Sequence, residues 1–216
     1  MADTRRRILD TARELFNREG LHRVGVREIA RALGVSPGNL AYHFATKDDL
    51  VAALVMELHD RNAQTVFADL PQDFTVETLY RTALRAMDNN AQYRFVSLSY
   101  VDAVQGSPHL QRTESALGAR RRARFDAMTA LLARNGAVRG RALASRADLL
   151  FEQGEMISSG WIAAAMLRRP GRVDGQAARH YAKLGVALLE PYCTPKGRRE
   201  VRRVLAGDFD GPGEER

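Results

Sequence analysis

The stretch Gly34–Leu50, GVSPGNLAYHFATKDDL, carries two helix-start signals close together. Ser36-Pro37 places an N-cap serine before a proline at the first helical position. Thr46-Lys47-Asp48-Asp49 is a capping box ahead of the apolar positions Leu50, Val51 and Leu54. The helix between them has about two turns, too few to be stable alone. Its middle residues, Gly38, Asn39, Ala41, Tyr42 and His43, make a poor core. Such a helix must be held from behind and exist for what it presents in front.

Toward the N-terminus, Ile8, Ala12, Leu15 and Phe16 share one face of a helix predicted over about 4–19, with Gly20 as its stop. Val26, Ile29, Ala30 and Leu33 follow the helical period in a second helix, about 27–33, ended by Gly34. The second and third helices are then joined by Gly34-Val35-Ser36, the tight turn of a helix-turn-helix. Val35, Leu40 and Phe44 are placed to anchor the third helix, which leaves Pro37, Gly38, Asn39, Ala41, Tyr42 and His43 facing out. Small residues permit close approach to a DNA major groove, and Asn39 has the donors and acceptors to read a base edge. Tyr42 and His43 suit phosphates and sugars. Lys47 opens a fourth helix, about 46–66, whose free backbone N–H groups also favour phosphate. On spacing alone, a solvated short helix in a bundle is the competing reading.

Composition narrows the classes. The chain of 216 residues is 45% apolar, enough for one large domain or two small ones. No apolar run is long enough to span a membrane, and no apolar signal region follows the N-terminus, so a cytoplasmic protein is expected. Cys193 is the only cysteine and forbids an internal disulfide. Lys and Arg outnumber Asp and Glu by 33 to 26, and the net charge of +7 favours an anionic partner only weakly. His22, His43, His59, His109 and His180 fall in no metal-ligand spacing, and there is no glycine-rich phosphate loop. Neither an enzyme nor a metal or cofactor site is expected.

The run Thr4–Leu54, TRRRILDTARELFNREGLHRVGVREIARALGVSPGNLAYHFATKDDLVAAL, resembles the N-terminal domain of the tetracycline-repressor (TetR) family of bacterial transcription regulators. The elements ILDTARELF, IARALGVS and YHFATKDDL carry the resemblance, and SPGNLAYHF is similar to a subgroup that reads SPGNLYYHF. The resemblance implies DNA contacts at Arg27, Ser36, Pro37, Gly38, Asn39, Ala41, Tyr42, His43 and Lys47. Arg27 would reach a base edge or phosphate, Pro37, Gly38 and Asn39 would meet bases, and Tyr42, His43 and Lys47 would bind the backbone. Gly25 stands where Thr or Ser is usual, and Ala41 where Tyr is usual. Arg5, Arg6 and Arg7 read as an arm toward the minor groove or as a solvated terminus.

The remaining chain is also predicted helical, so the fold class is all-α. A three-helix DNA-binding domain with its connecting helix covers 1–66, and a helical effector-binding and dimerisation domain covers 67–216. The loop Ala68–Thr75 is the boundary. Helices are predicted over about 76–89, 93–104 and 108–135. Gly136–Arg141 reads as a loop, and Ser145-Arg146-Ala147-Asp148 as a capping box opening a helix to about 168. Another helix starts at Asp174. Thr194-Pro195 caps a short basic one, and the tail from Gly207 reads as frayed.

Three features of this region bear on function. Gly154, Ser158, Gly160, Trp161, Ala164, Leu184 and Leu188 mark two helices whose small residues allow close approach, as in a four-helix dimer interface, with ordinary packing within the chain as the competing reading. The resembled family uses its last two long helices in this way. Tyr93, Tyr100, Asp102, Phe125, Met128, Glu155 and Met156 offer apolar walls and polar groups for a small-molecule pocket, with plain core as the competing reading. Asp102 and Glu155 stand out because acids in apolar stretches need a partner or a ligand. Arg120-Arg121-Arg122 with Arg124, and the C-terminal Lys196, Arg198, Arg199, Arg202 and Arg203, read as solvated faces or extra nucleic-acid contacts. The expected function is an effector-controlled repressor, a homodimer on a near-palindromic operator of double-stranded DNA, answering to a small apolar or amphipathic molecule. The alternative is an architectural or cell-division DNA-binding protein on the same fold, which would bind many sites and ignore small molecules.

Overall fold

A computed structural model describes residues 2–66, 70–170 and 173–209. Among these residues eleven α-helices follow one another: α1 Ala2–Glu19, α2 Val26–Leu33, α3 Pro37–His43, α4 Lys47–Val66, α5 Val76–Ala91, α6 Arg94–Gly106, α7 Pro108–Arg134, α8 Gly140–Ala144, α9 Ala147–Arg168, α10 Gly175–Ala187 and α11 Pro195–Ala206. The described residues hold no strand beyond one isolated bridge between Val138 and Cys193. The fold is all-α, and no described helix is long and apolar enough to cross a membrane.

The helices form two compact units. The first is Met1–Arg61 with Asn90–Ala119, and the second is Asn62–Asn89 with Arg120–Arg216. This division differs from a cut at residue 66, because α6 and the first part of α7 share the core of the N-terminal helices. Tyr93, Phe95, Tyr100, Leu110 and Leu117 are buried together with Ile8, Phe16, Leu40 and Leu54. Polar groups fix the join. Asn17 of α1 donates from Nδ2 to the Gln92 carbonyl at 2.8 Å and accepts the Phe95 N–H at 3.1 Å, so it caps α6 from another helix. Arg94 donates to the Asn17 carbonyl, and the Phe16 and Phe95 rings lie 5.4 Å apart. The fully buried Tyr93 donates its hydroxyl to Glu57 of α4 at 2.5 Å, and Arg13 of α1 approaches the same oxygen at 3.4 Å. Burial, then the Glu57 bond, push the Tyr93 phenol above its ordinary pKa.

The second unit is built on α9 and α10. Trp161, Ile162 and Ala165 of α9 and Ala178, Tyr181, Ala182 and Val186 of α10 are buried. Asp174 caps α10 by accepting the Ala177 N–H at 2.9 Å. Thr194 caps α11 by accepting the Gly197 N–H at 3.2 Å, and its hydroxyl donates to the Gly136 carbonyl at 2.7 Å. Gly197 lies against the chain at Ala137, where an added Cβ would stand 1.9 Å from the Ala137 oxygen. Here only glycine lets α11 dock.

Two local expectations are corrected. Gly136–Arg139 is outside any helix, as read, but Gly140 and Arg141 open the short helix α8, which buries Leu143. Ser145 does not open α9. It sits in the right-handed helical region (φ −66°, ψ −10°) as the C-cap of α8, and its hydroxyl donates to the Ala142 carbonyl at 2.8 Å. An N-cap needs extended backbone. Arg146 precedes α9 without a side-chain cap, and Asp148 instead accepts Arg122 at 2.6 Å. Ala68 and Asp69 of the boundary loop, and the tail from residue 210, lie outside the described residues.

Candidate nucleic-acid interface

The α2–α3 pair is shaped by its caps. Gly25 has no side chain to cap α2, but Glu28 reaches back to accept the Gly25 N–H at 3.0 Å, so half of a capping box survives. Gly34 turns the chain in the left-handed region (φ +69°) and returns its N–H to the end of α2. Ser36 is extended, and its Oγ accepts the Asn39 N–H at 3.1 Å. Ser36 therefore sets the start of α3 through its own hydroxyl.

The back of α3 is anchored by Leu40 and by Phe44, both buried, with Val35 half-buried against the same core. Arg5 stands 4.9 Å over the Phe44 ring. The front is open: Pro37, Gly38, Asn39, Ala41 and Tyr42 are exposed, and His43 is half-buried. Tyr42 is 77% exposed and meets the His43 ring edge-on at 5.3 Å. Arg27 is exposed in the first turn of α2. This is a small, polar and aromatic surface backed by a packed core.

Lys47 departs from expectation. Its ammonium turns inward, donates to the Leu21 carbonyl at 2.5 Å and lies 5.8 Å over the Phe16 ring. Burial pulls its pKa below the ordinary lysine value, against the opposing pull of Asp48 and Glu28. The long stem reaches a carbonyl in the turn after α1, so the group ties α4 to that turn rather than standing out for phosphate. Arg5, Arg6 and Arg7 form no arm, because α1 already runs from Ala2. Arg6 makes a two-pronged bond to Asp10 and also meets Glu57 at 3.3 Å. The capping box at α4 is as expected: Thr46 N–H donates to Asp49 at 2.9 Å, and Asp49 N–H to Thr46 Oγ1 at 3.1 Å.

A family model described as bacterial regulatory proteins, tetR family, matches residues 8–54. A second, described as bacterial transcriptional repressor, matches residues 61–201, more than half of the chain. The chain belongs to the TetR family. Its curated relatives include the HTH-type transcriptional regulator UidR of Escherichia coli K12, 38% identical over 58 residues, which are 27% of this chain and 30% of that protein. The HTH-type transcriptional repressor KstR2 of Rhodococcus jostii is 33% identical over 88 residues, 39% of this chain and 43% of that one. The chain thus matches less than half the length of either relative. A TetR-family regulator of Marinobacter aquaeolei VT8 is similar throughout, with a TM-score of 0.77, 26% identity and coverage of 94% of this chain and 96% of that one. These relatives are transcriptional regulators and not enzymes.

In this TetR-family protein the residues expected to line one pocket are dispersed. Tyr93, Tyr100 and Asp102 belong to the first unit, and Phe125, Met128, Glu155 and Met156 to the second. Tyr93, just before α6, and Tyr100 within it are both core. Asp102 is on the surface, where it meets His22 at 3.3 Å. Glu155 is spent on an ion pair with Arg121. Phe125 packs edge-on against Phe151 at 5.6 Å, and Met128 is half-buried. Met156 is 74% exposed, on the outer face of α9. The interface set fares unevenly. Trp161 is 1% exposed and packs inside the chain against Tyr181, with ring centroids 6.3 Å apart, so it presents nothing to a partner. Gly154, Ser158, Gly160, Ala164 and Leu188 are half-buried and Leu184 is exposed. An added Cβ at Gly154, Gly160 or Gly185 would meet open space. Asn17, Arg13 and Glu57, which hold the first unit together, were not singled out in the sequence: each looks like an ordinary polar residue on a helix, and their partners lie far along the chain.

Proposed function

We propose that the protein is a DNA-binding repressor that acts in the cytoplasm as a homodimer on a near-palindromic operator, under the control of a small apolar or amphipathic effector. One observation carries the reading: α3 buries Leu40 behind and presents Pro37, Gly38, Asn39, Ala41 and Tyr42 in front. Asn39 reads a base edge, Tyr42 and His43 hold phosphates, and Arg27 reaches a base edge or phosphate from α2. Ser36 fixes the start of α3, and Lys47 ties α4 to the turn after α1. The reading assigns recognition to the helices within 1–66 and dimerisation and effector binding to helices within 67–216.

The dimer reading rests on α9 and α10. Leu149, Met156 and Leu167 of α9 and Leu184 of α10 are exposed, Leu167 at 86%. Exposed apolar side chains repeated along one helix beside uncontacted glycines call for a covering partner. Mapping the bound sites genome-wide and then titrating one of them is the test. A few near-palindromic sites, bound less tightly by Tyr42→Ala with His43→Ala, are expected. Binding spread evenly over any sequence would favour an architectural role instead.

A further inference from the structure

The net charge of +7 is not held by the unit that carries α3, where Lys and Arg exceed Asp and Glu by only one. Which of its cations are left unpaired therefore decides where a phosphate can bind. Lys47 is turned inward to the Leu21 carbonyl. Arg6 is spent on Asp10 and Glu57, and Arg13 on the same two acids. Arg5 differs. It is exposed, and no carboxylate pairs with it among the described residues. The sequence accounts for the split, because Asp10 lies four residues after Arg6, while Leu9 lies four after Arg5. Asp3 stands two residues before Arg5, about 200° around α1. Asp49 is held in the α4 capping box.

The place of Arg5 gives it a use. Its guanidinium carbon stands 4.9 Å over the Phe44 ring. Phe44 is the C-cap of α3, extended at φ −142° and ψ 105°, and directly follows Tyr42 and His43. Its side chain is buried with Leu40, so the ring is a fixed platform. A guanidinium over an aromatic ring is positioned by that ring and keeps its in-plane N–H donors for an anion. We infer that Arg5 is a phosphate anchor for double-stranded DNA at the C-terminal end of α3, positioned by Phe44, in the role that the sequence assigned to Lys47. The inference rests on the DNA-binding reading and adds to it a residue from α1. Because α1 is helical from Ala2, the contact is made from a preset helix and not from an arm. The fork of the guanidinium suits a two-pronged bond to one phosphate.

The test is a titration of full-length wild type and variants at several salt concentrations. The probes are a mixed-sequence duplex of about three helical turns and one genomic site recovered with the protein. Arg5→Gln should lower the slope of log affinity against log salt by about 1 on both duplexes, with a melting temperature close to that of wild type. Arg5→Lys should restore the slope, since it keeps the charge, but not the whole affinity, since it lacks the fork. Arg7 is as exposed as Arg5 but lies about 200° further around α1, so Arg7→Gln should keep the wild-type slope. An unchanged slope in Arg5→Gln, or equal losses in Arg5→Gln and Arg7→Gln, would overturn the inference while leaving the DNA-binding reading in place. Wild-type protein that bound neither duplex would remove that reading, and the anchor with it.

Discussion

Tyr42 and His43 are neighbours with different surroundings, and a substitution reads each separately. Tyr42→Ala removes an exposed ring and should lower operator affinity across sequences, with the salt slope falling by about 1 for a lost phosphate contact, as measured by titration at several salt concentrations. Asn39→Ala should instead blur preference at one base position, by about 1–3 kcal/mol, read from binding to a panel of single-base variants. Lys47 belongs to the fold more than to the groove. Burial favours its neutral form in the folded chain, so the folded protein releases this proton at lower pH than the unfolded chain does. Stability from this group therefore rises as pH climbs toward the ordinary lysine value of 10.5. Tyr93 acts in the opposite sense above pH 10, since its phenol holds its proton longer when folded. A comparison with Lys47→Met cancels the Tyr93 effect. Denaturant unfolding between neutral pH and 10.5 should show wild type gaining on the variant, and a flat difference would mean that the ammonium is not buried.

At the scale of elements, local signals were legible and distant ones were not. Ser36-Pro37, Thr46 with Asp49, Gly20, Gly34, Asp174 and Thr194 each act within a few residues, and the structure uses every one of them as a cap or stop. Ser145 failed because a serine followed three residues later by an acid can end one helix as readily as it begins the next. Trp161 failed on angle. It follows Gly160 by one step around α9, about 100°, enough to move from the outer face to the core. The scattered pocket residues failed because aromatic and acidic composition does not say which face of a helix turns inward. Docking of α11 was invisible for another reason: Gly197 looks like any glycine near a helix start, yet it touches backbone sixty residues away. Gly197→Ala should destabilise the second unit by about 1–3 kcal/mol, seen as a lower midpoint in denaturant, because backbone cannot move aside as a side chain can.

For the whole molecule, the reading predicts a dimer whose half-sites lie about one DNA turn apart, or a multiple of it. Gly160→Arg with Leu184→Glu places charges on the outer faces of α9 and α10 and should leave monomer at micromolar concentration in sedimentation, with operator affinity lost and helix content kept. A dimer indifferent to both changes would move the interface elsewhere. The positive net charge of +7 should speed association with DNA at low salt without choosing a sequence. The capping of α6 by Asn17 has a consequence for exchanging parts between relatives. A head cut after α4 would leave Asn17, Phe16 and Glu57 facing water, since Gln92, Phe95 and Tyr93 would be gone. The transplantable piece is therefore discontinuous: a hybrid regulator that borrows this head must also borrow Asn90–Ala119, or supply the head with a substitute for it.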